Sequence, residues 1–300
     1  MTGTPVSRAA VVVNPAKLDD TEAFRKSVRQ AMDDRGWDEP LWLETTPEDP
    51  GRGQAKAAVS AGVGLVLACG GDGTVTACAE GVIGAGVPLA IIPMGTGNLL
   101  ARNLGLPMDP DEALAVALGG VQRPIDAGRV NGMLFVVMAG LGLDARMLSG
   151  TSDPLKKRLG WFAYAISAVR HLGDRPLRVA VSADGGQRRR MRANTLIVGN
   201  VGSLQGGLPL LPDARPDDGM LDAVVLVAGG LTGWLAAAVN ILLRRPARGG
   251  IYRIQFSELQ VTLDQEHLWE LDGEVMGSAR RLTVVAQPGA LLLRMPPEST

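Results

Sequence analysis

Aromatic residues make up only 4% of this chain, and cysteine occurs twice, at Cys69 and Cys78. Two thiols nine positions apart form neither a CxxC motif nor a disulfide framework, so both are expected to be buried free thiols. Charge of one sign is also missing. The net charge is −1, which offers nucleic acid no global basic field and leaves attraction to an anionic surface to some local patch. No apolar run reaches the roughly 18–20 residues that cross a bilayer. The longest candidate, 234–243, is interrupted by Asn240. Only Arg8 stands ahead of the first apolar run as an N-terminal charge, with no signal-peptide core, so a cytoplasmic protein is expected. No GKT or GKS occurs, which excludes a Walker A loop.

What is present is small and apolar. With 300 residues, 46% hydrophobic and 20% charged, the chain is long enough for two ordinary domains with buried cores. Strand-like runs at 9–13, 41–44, 63–68 and 87–92 alternate with helical patterns at 21–35, 53–61, 75–84, 99–104 and 111–118. That alternation predicts a doubly wound, Rossmann-like α/β domain with a parallel sheet over 1–124. After 121–125 the pattern becomes β-like: 134–138, 177–182, 195–199, 221–227, 252–256, 258–263, 282–286 and 291–295. Two helices are expected to interrupt it, at 155–171 and 231–245. This predicts a mainly β second domain, sandwich-like with helical insertions, over 125–287, followed by a C-terminal segment, 288–300.

Two glycine turns carry the chemistry. Val63 to Ala68 reads as a buried strand ending in Cys69-Gly70-Gly71-Asp72-Gly73-Thr74. Glycines there let backbone N–H groups approach a polyphosphate, and an aspartate at the rim can handle a metal–phosphate complex. The alternative for Asp72 is a turn-stabilising Asx residue. A second strand ends in Pro93-Met94-Gly95-Thr96-Gly97-Asn98 before a helical run, an anion-binding geometry. Consecutive parallel strands would bring both turns to one carboxyl edge.

GGDGT followed by PMGTGNLLARNLGLP resembles the catalytic domain of diacylglycerol kinase-type lipid kinases. The resemblance continues in family order through Asn14-Pro15, 125–132, 140–145, Asp217-Asp218-Gly219-Met220 and Leu271-Asp272-Gly273-Glu274. It implies an active site in the cleft between the domains and a C-terminal segment that packs back on the first. ATP would be bound by Asn14, Thr45, Gly70, Gly71, Gly73, Thr74, Gly95, Thr96, Gly97 and Asn98. Thr45 reads equally as a turn or cap hydroxyl.

Asp72 would handle Mg–ATP, since phosphoryl transfer is mostly positioning and charge neutralisation. Glu274, with Asp272, would be the general base, because an alcohol nucleophile must lose its proton as it attacks. An Asp-Gly hairpin turn is the other reading of that segment. Asp218 with the carbonyls of Arg215 and Met220 resembles the family's structural Mg2+ site, and Asp126 matches an acidic position near the cleft. Two departures stand out: Asn14-Pro15 runs into Ala16-Lys17-Leu18 rather than into a glycine, and Leu99 replaces an aspartate found in many bacterial members.

The implied activity is transfer of the ATP γ-phosphate to a primary hydroxyl of a membrane lipid, most simply diacylglycerol. The alternatives are a sphingoid-base, ceramide or NAD kinase, or a non-catalytic ATP- or lipid-binding regulator. Peripheral docking on the inner membrane face is expected. Candidate surfaces are 155–170, where Lys156, Lys157 and Arg158 flank Trp161 and Tyr164, and 231–248. No nucleic-acid partner is expected, and the second domain leaves room for a homodimer through a sheet edge.

Overall fold

The computed structural model describes residues 8–142, 176–204, 207–227, 239 and 250–297. The chain forms two compact units: one runs to Ile125 and resumes at Gly289, and the other covers Asp126–Pro288.

The first unit is α/β. Its strands are β1 (Ala9–Val13), β2 (Leu41–Glu44), β3 (Leu65–Gly70) and β4 (Leu89–Pro93). They lie in the order β2–β1–β3–β4, all parallel. Every residue of β1, β3 and β4 is buried, as near-continuous apolar strands covered on both faces require. The helices are α1 (Thr21–Asp33), α2 (Arg52–Ser60), α3 (Asp72–Val82), α4 (Leu99–Asn103) and α5 (Pro110–Gly119). Asp20 starts α1 by accepting the Ala23 amide at 2.9 Å, and Asp109 starts α5 by accepting those of Asp111 and Glu112. The core packs Val11, Leu67 and Ile92 from the sheet against Val28, Met32 and Leu114.

The second unit is mainly antiparallel β. Its strands are β5 (Val121–Val130), which begins in the first unit, β6 (Met133–Phe135), β7 (Met138–Gly142), β8 (Leu177–Ala183), β9 (Arg189–Ala193), β10 (Thr195–Gly199), β11 (Leu221–Leu226), β12 (Ile251–Phe256), β13 (Glu258–Leu271) and β14 (Glu274–Met295). One path runs β12–β11–β10–β7–β13–β14, and β8 leaves it to pair with β13 and with β9. Phe135, Leu141, Val198, Phe256, Val261 and Trp269 form its core.

Several local expectations change. Helix α3 begins at Asp72, not at 75, because Gly71 leaves β3 extended and the Val75 amide already bonds the Gly71 carbonyl at 3.0 Å. The strand expected over 134–138 is broken at Val136 and Val137, whose amides turn to a side chain instead of a neighbouring strand. Strand β9 was not expected, since only Met191 and Ala193 alternate with its arginines. The runs 282–286 and 291–295 are one strand, β14, whose Leu293 lies beside Leu89 of β4. Helices expected at 155–171 and 231–245, and with them both membrane-facing segments, lie outside the described residues apart from residue 239.

Candidate active site

The nucleotide-binding candidates collect on one edge of the first unit's sheet. Val13 pairs with Glu44 and Cys69, Cys69 with Ile92, and Gly70 with Pro93, so β2, β1, β3 and β4 end side by side. Immediately beyond those ends stand Thr45, Asn14, Gly71 and Met94. The Asn14 amide donates to the Cys69 carbonyl and the Thr45 amide to that of Val13, each at 2.9 Å. This is the carboxyl edge on which open parallel sheets present ligand-binding loops.

The two glycine loops are locked to each other. A Cβ placed on Gly95 would lie 2.6 Å from the Gly71 Cα, so the backbones pass with no room for a side chain. The Met94 amide donates to the Gly70 carbonyl at 2.8 Å. Asn98, in the left-handed region at φ 49°, clasps its own loop: its Oδ1 accepts the Gly95 amide at 2.9 Å and its Nδ2 donates to the Gly95 carbonyl at 2.8 Å. Asp72 crosses from one loop to the other. Its Oδ1 accepts the Leu99 amide at 2.5 Å, and its Oδ2 occupies the space that a side chain at Gly97 would need.

Asp72 therefore has a positioning task that sequence reasoning weighed only as a local turn. Thr74 is buried with its side chain against Gly70, whereas Thr96 is exposed, so the two hydroxyls are not equivalent. Asn14 uses its Oδ1 to accept the Ala16 amide, which closes the turn at Lys17. Gly95→Ala is expected to cost about 1–3 kcal/mol by forcing the loops apart. Gly119→Ala, where a Cβ meets nothing within 4 Å, is expected to be near neutral; thermal unfolding of both variants checks this.

In the second unit, Asp272 and Gly273 form the two-residue turn between β13 and β14. Both have positive φ, 45° and 90°, and Leu271 pairs with Glu274 across them, as in a type I′ hairpin. The Asp272 carboxylate is occupied: Oδ2 accepts the Val136 amide at 3.0 Å, and Oδ1 accepts those of Val137 and Met138 at 2.9 Å each. The Asp272 amide returns a bond to the Met138 carbonyl. Asp272 is an anchor, and of the two carboxylates in this turn Glu274 is the one presented to solvent. Among the described residues no hydrogen bond or ion pair engages the Glu274 side chain.

The third acidic group surrounds the turn before β11. Asp126, 2% exposed, accepts the Gly219 amide on Oδ2 at 2.7 Å, and its own amide donates to the Pro216 carbonyl. Asn200, which sequence reasoning missed, is fully buried and donates Nδ2 to the carbonyls of Asp126 and Val136. It thus ties the Asp126 segment to the strand break that holds Asp272. Asp218 accepts the Met220 amide and the Gln255 side-chain amide, both at 3.0 Å.

Burial, then the charges of Asp218 and Asp213, push the Asp222 carboxyl up to about 6. One carboxylate plus main-chain carbonyls suits a hard cation. Among the described residues no cluster of three or more His, Cys, Asp or Glu side chains could hold a metal, so such a site would rely on carbonyl oxygens. The two thiols are buried as expected. Desolvation raises Cys69 well above its ordinary range and Cys78 to about 12, which keeps both protonated and inert.

Residues 8–130 match the diacylglycerol kinase catalytic domain, and residues 136–295 match the YegS C-terminal NAD kinase beta sandwich-like domain. A "Probable lipid kinase YegS-like" protein of Pseudomonas fluorescens is 32% identical over 296 residues, covering 94% of this chain and 95% of its own. This chain belongs to the YegS-like and diacylglycerol kinase family of lipid kinases. The "Diacylglycerol kinase" of Bacillus subtilis is 30% identical over 298 residues, covering 93% of this chain and 96% of its own. Among solved structures, a diacylglycerol kinase from Bacillus anthracis superposes with a TM-score of 0.76 at 22% identity, covering 98% and 99% of the two chains.

The family's NAD kinase relatives are more distant. An Archaeoglobus fulgidus NAD kinase in complex with ATP gives a TM-score of 0.52 at 14% identity over 96% and 93% of the chains, a likeness of fold alone. Membership makes the chain a kinase of lipid type. Its α/β first unit and β-rich second unit are those of the family's fold.

Proposed function

We propose that this kinase transfers the γ-phosphate of ATP to the primary hydroxyl of a membrane lipid, diacylglycerol in the simplest case, giving phosphatidate and ADP. The observation that carries the reading is the division of labour in the Asp272–Gly273 turn: one carboxylate is consumed in holding the turn, and Glu274 beside it is left free and exposed. The acceptor oxygen attacks the γ-phosphorus, its proton passes to the Glu274 carboxylate, and the bond to the ADP oxygen breaks. A carboxylate in this role contributes about 10²–10⁴-fold.

ATP is assigned to the carboxyl edge of β2, β1, β3 and β4. The Gly71 loop and the Thr96–Gly97 backbone would face its phosphates, with the Gly95 amide held by Asn98, and Asn14, Thr45 and Thr96 line the same edge. Thr74 and Asp72 set the loops, Asp72 by carrying the bond between them. Mg2+ supplies charge neutralisation when bound. For a structural cation the donors are Asp218 and the carbonyls of Arg215 and Met220. Adding Mg2+ to chelator-treated protein is then expected to raise Tm, by an amount equivalent to about 2.7 kcal/mol at 100-fold excess over Kd. Asp218→Ala is expected to abolish that rise.

The reading is tested by presenting Mg–γ-labelled ATP with diacylglycerol, monoacylglycerol, ceramide and sphingosine in neutral detergent micelles, and with NAD in parallel. Label in one lipid names the acceptor. Label in NADP alone, or ATP binding with no transfer to any of them, overturns it.

A further inference from the structure

An arginine-rich sheet face in the second unit takes no part in the chemistry above. Among the described residues, strand β9 pairs only with β8. The segment Arg188-Arg189-Arg190-Met191-Arg192 enters and forms it. Met191 and Ala193 turn inward to the core, as do Leu177, Val179 and Val181 of β8. Side chains alternate along a strand, so Arg190 and Arg192 turn outward with Arg178 and Ala180.

The register extends this face across four strands. Arg190 pairs with Ala180, Ala180 with Thr262 of β13, and Thr262 with Arg281 of β14, a row spanning roughly 14 Å at ordinary strand spacing. Two residues along, Arg178 lies directly opposite Arg192. All four of these arginines are exposed, and none is in an ion pair among the described residues, where the salt bridges use Arg25, Arg29, Arg52, Arg215 and His267.

Two carboxylates share the face with the four arginines and leave it a surplus of positive charge. Glu258 accepts the Gln260 side-chain amide at 2.9 Å, and Asp264 lies 4.0 Å from the His267 imidazole. Asp184, the acid at the β8–β9 turn, is turned to the next connection, where its Oδ1 accepts the amides of Ser257 and Glu258 at 2.9 and 2.8 Å.

Like charges directly opposite each other in a sheet are destabilising. Guarding an edge strand against aggregation takes a charge or two, not a cross-strand arginine pair with further arginines around it. The residues between the arginines are small or polar, Ala180, Ser182, Thr262, Gln260 and Thr283, so among the described residues this row carries no aromatic ring. A single-stranded nucleic acid wants stacking platforms in its basic groove, and a duplex wants an element that enters a groove. A face with four arginines against two carboxylates, and no stacking platform among its described residues, instead complements a plane of negative charge.

We propose that the outer face of β9, β8, β13 and β14 docks this kinase on an anionic phospholipid bilayer. The proposal rests on the lipid-kinase reading above, since an enzyme whose acceptor sits in a membrane has to meet it there. The docking contact is electrostatic and peripheral, it weakens as salt rises, and it is separate from the phosphate-transfer residues.

Wild type and the triple variant Arg178→Gln/Arg190→Gln/Arg192→Gln are compared by co-sedimentation with phosphatidylcholine vesicles, with and without phosphatidylglycerol as one lipid in three. Wild type is expected to bind only the anionic vesicles, and the variant to lose roughly 100-fold in partition coefficient. Its activity in neutral detergent micelles should be unchanged, and its Tm equal or higher because the arginine repulsion is gone. Thr283→Glu adds a charge of the opposite sign to the same face, at an exposed position opposite the uncharged Gln260, and keeps every arginine. It should weaken vesicle binding several-fold, and so tests the face even if the triple variant folds poorly. Equal binding of all three proteins to anionic vesicles, no binding by wild type, or tighter binding to a duplex oligonucleotide than to vesicles overturns the proposal. Vesicle binding is read without turnover, so it stands or falls separately from the micelle assay that tests the proposed activity.

Discussion

Glu274→Ala is expected to lower kcat for lipid phosphorylation about 10²–10⁴-fold while the protein stays folded. Both halves of this expectation come from the same turn. The Glu274 side chain is exposed and makes no hydrogen bond or ion pair among the described residues, so its removal deletes no structural contact. Exposed substitutions of that kind stay within about 0.5 kcal/mol. An acceptor hydroxyl must shed a proton as its oxygen bonds to phosphorus, and without a carboxylate to take it the barrier rises. Glu274→Gln should lose nearly as much activity as Glu274→Ala, because the amide keeps the shape and not the basicity. The loss is expected in kcat with KM for ATP little changed, a split that steady-state kinetics resolves.

Asp272→Ala should behave in the opposite way, losing stability first. Removing the carboxylate leaves the amides of buried Val136, Val137 and Met138 without their acceptor. Each unsatisfied buried amide costs about 1–3 kcal/mol, relieved in part where water can enter. Alanine is also poorly suited to φ 45°, which adds of order 1 kcal/mol. A total loss of about 3–5 kcal/mol is expected in urea unfolding. Asp272→Gly relieves the backbone and not the amides, so it should recover only the smaller part. Asp272→Asn keeps one acceptor oxygen and should lose least. If all three variants matched wild-type stability, the anchoring role of Asp272 would be refuted.

Much of this site was legible because glycine punctuation marks strand ends. The runs at 63–68 and 87–92, each leading into a glycine turn, marked the parallel edge and the order of its loops. What could not be read were the contacts made across long sequence separations. The partner of Asp72 is the amide of Leu99, 27 positions away, and that bond adds a tie between two loops to the metal handling expected of it. The partners of Asp272 stand 134 to 136 positions earlier, so an Asp-Gly pair that looks like an ordinary solvated turn is a fastening for the break between β6 and β7.

Strand β9 was invisible for a different reason. Three of its five residues are arginines, and the inward pair Met191 and Ala193 is too short a pattern to mark a strand without the pairing with β8. Leu99 shows the reverse case. The absent aspartate looked like a lost polar contribution, yet the backbone amide at that position still engages Asp72.

The most direct test of the account is the rate of label transfer from γ-labelled ATP to diacylglycerol in neutral detergent micelles, by wild type and Glu274→Ala at equal concentrations of folded protein. Labelled phosphatidate from wild type, at least 100-fold less from the variant, and the same ATP affinity for both is the predicted result. Equal rates for the two proteins, or a wild type that phosphorylates NAD and no lipid, would contradict it.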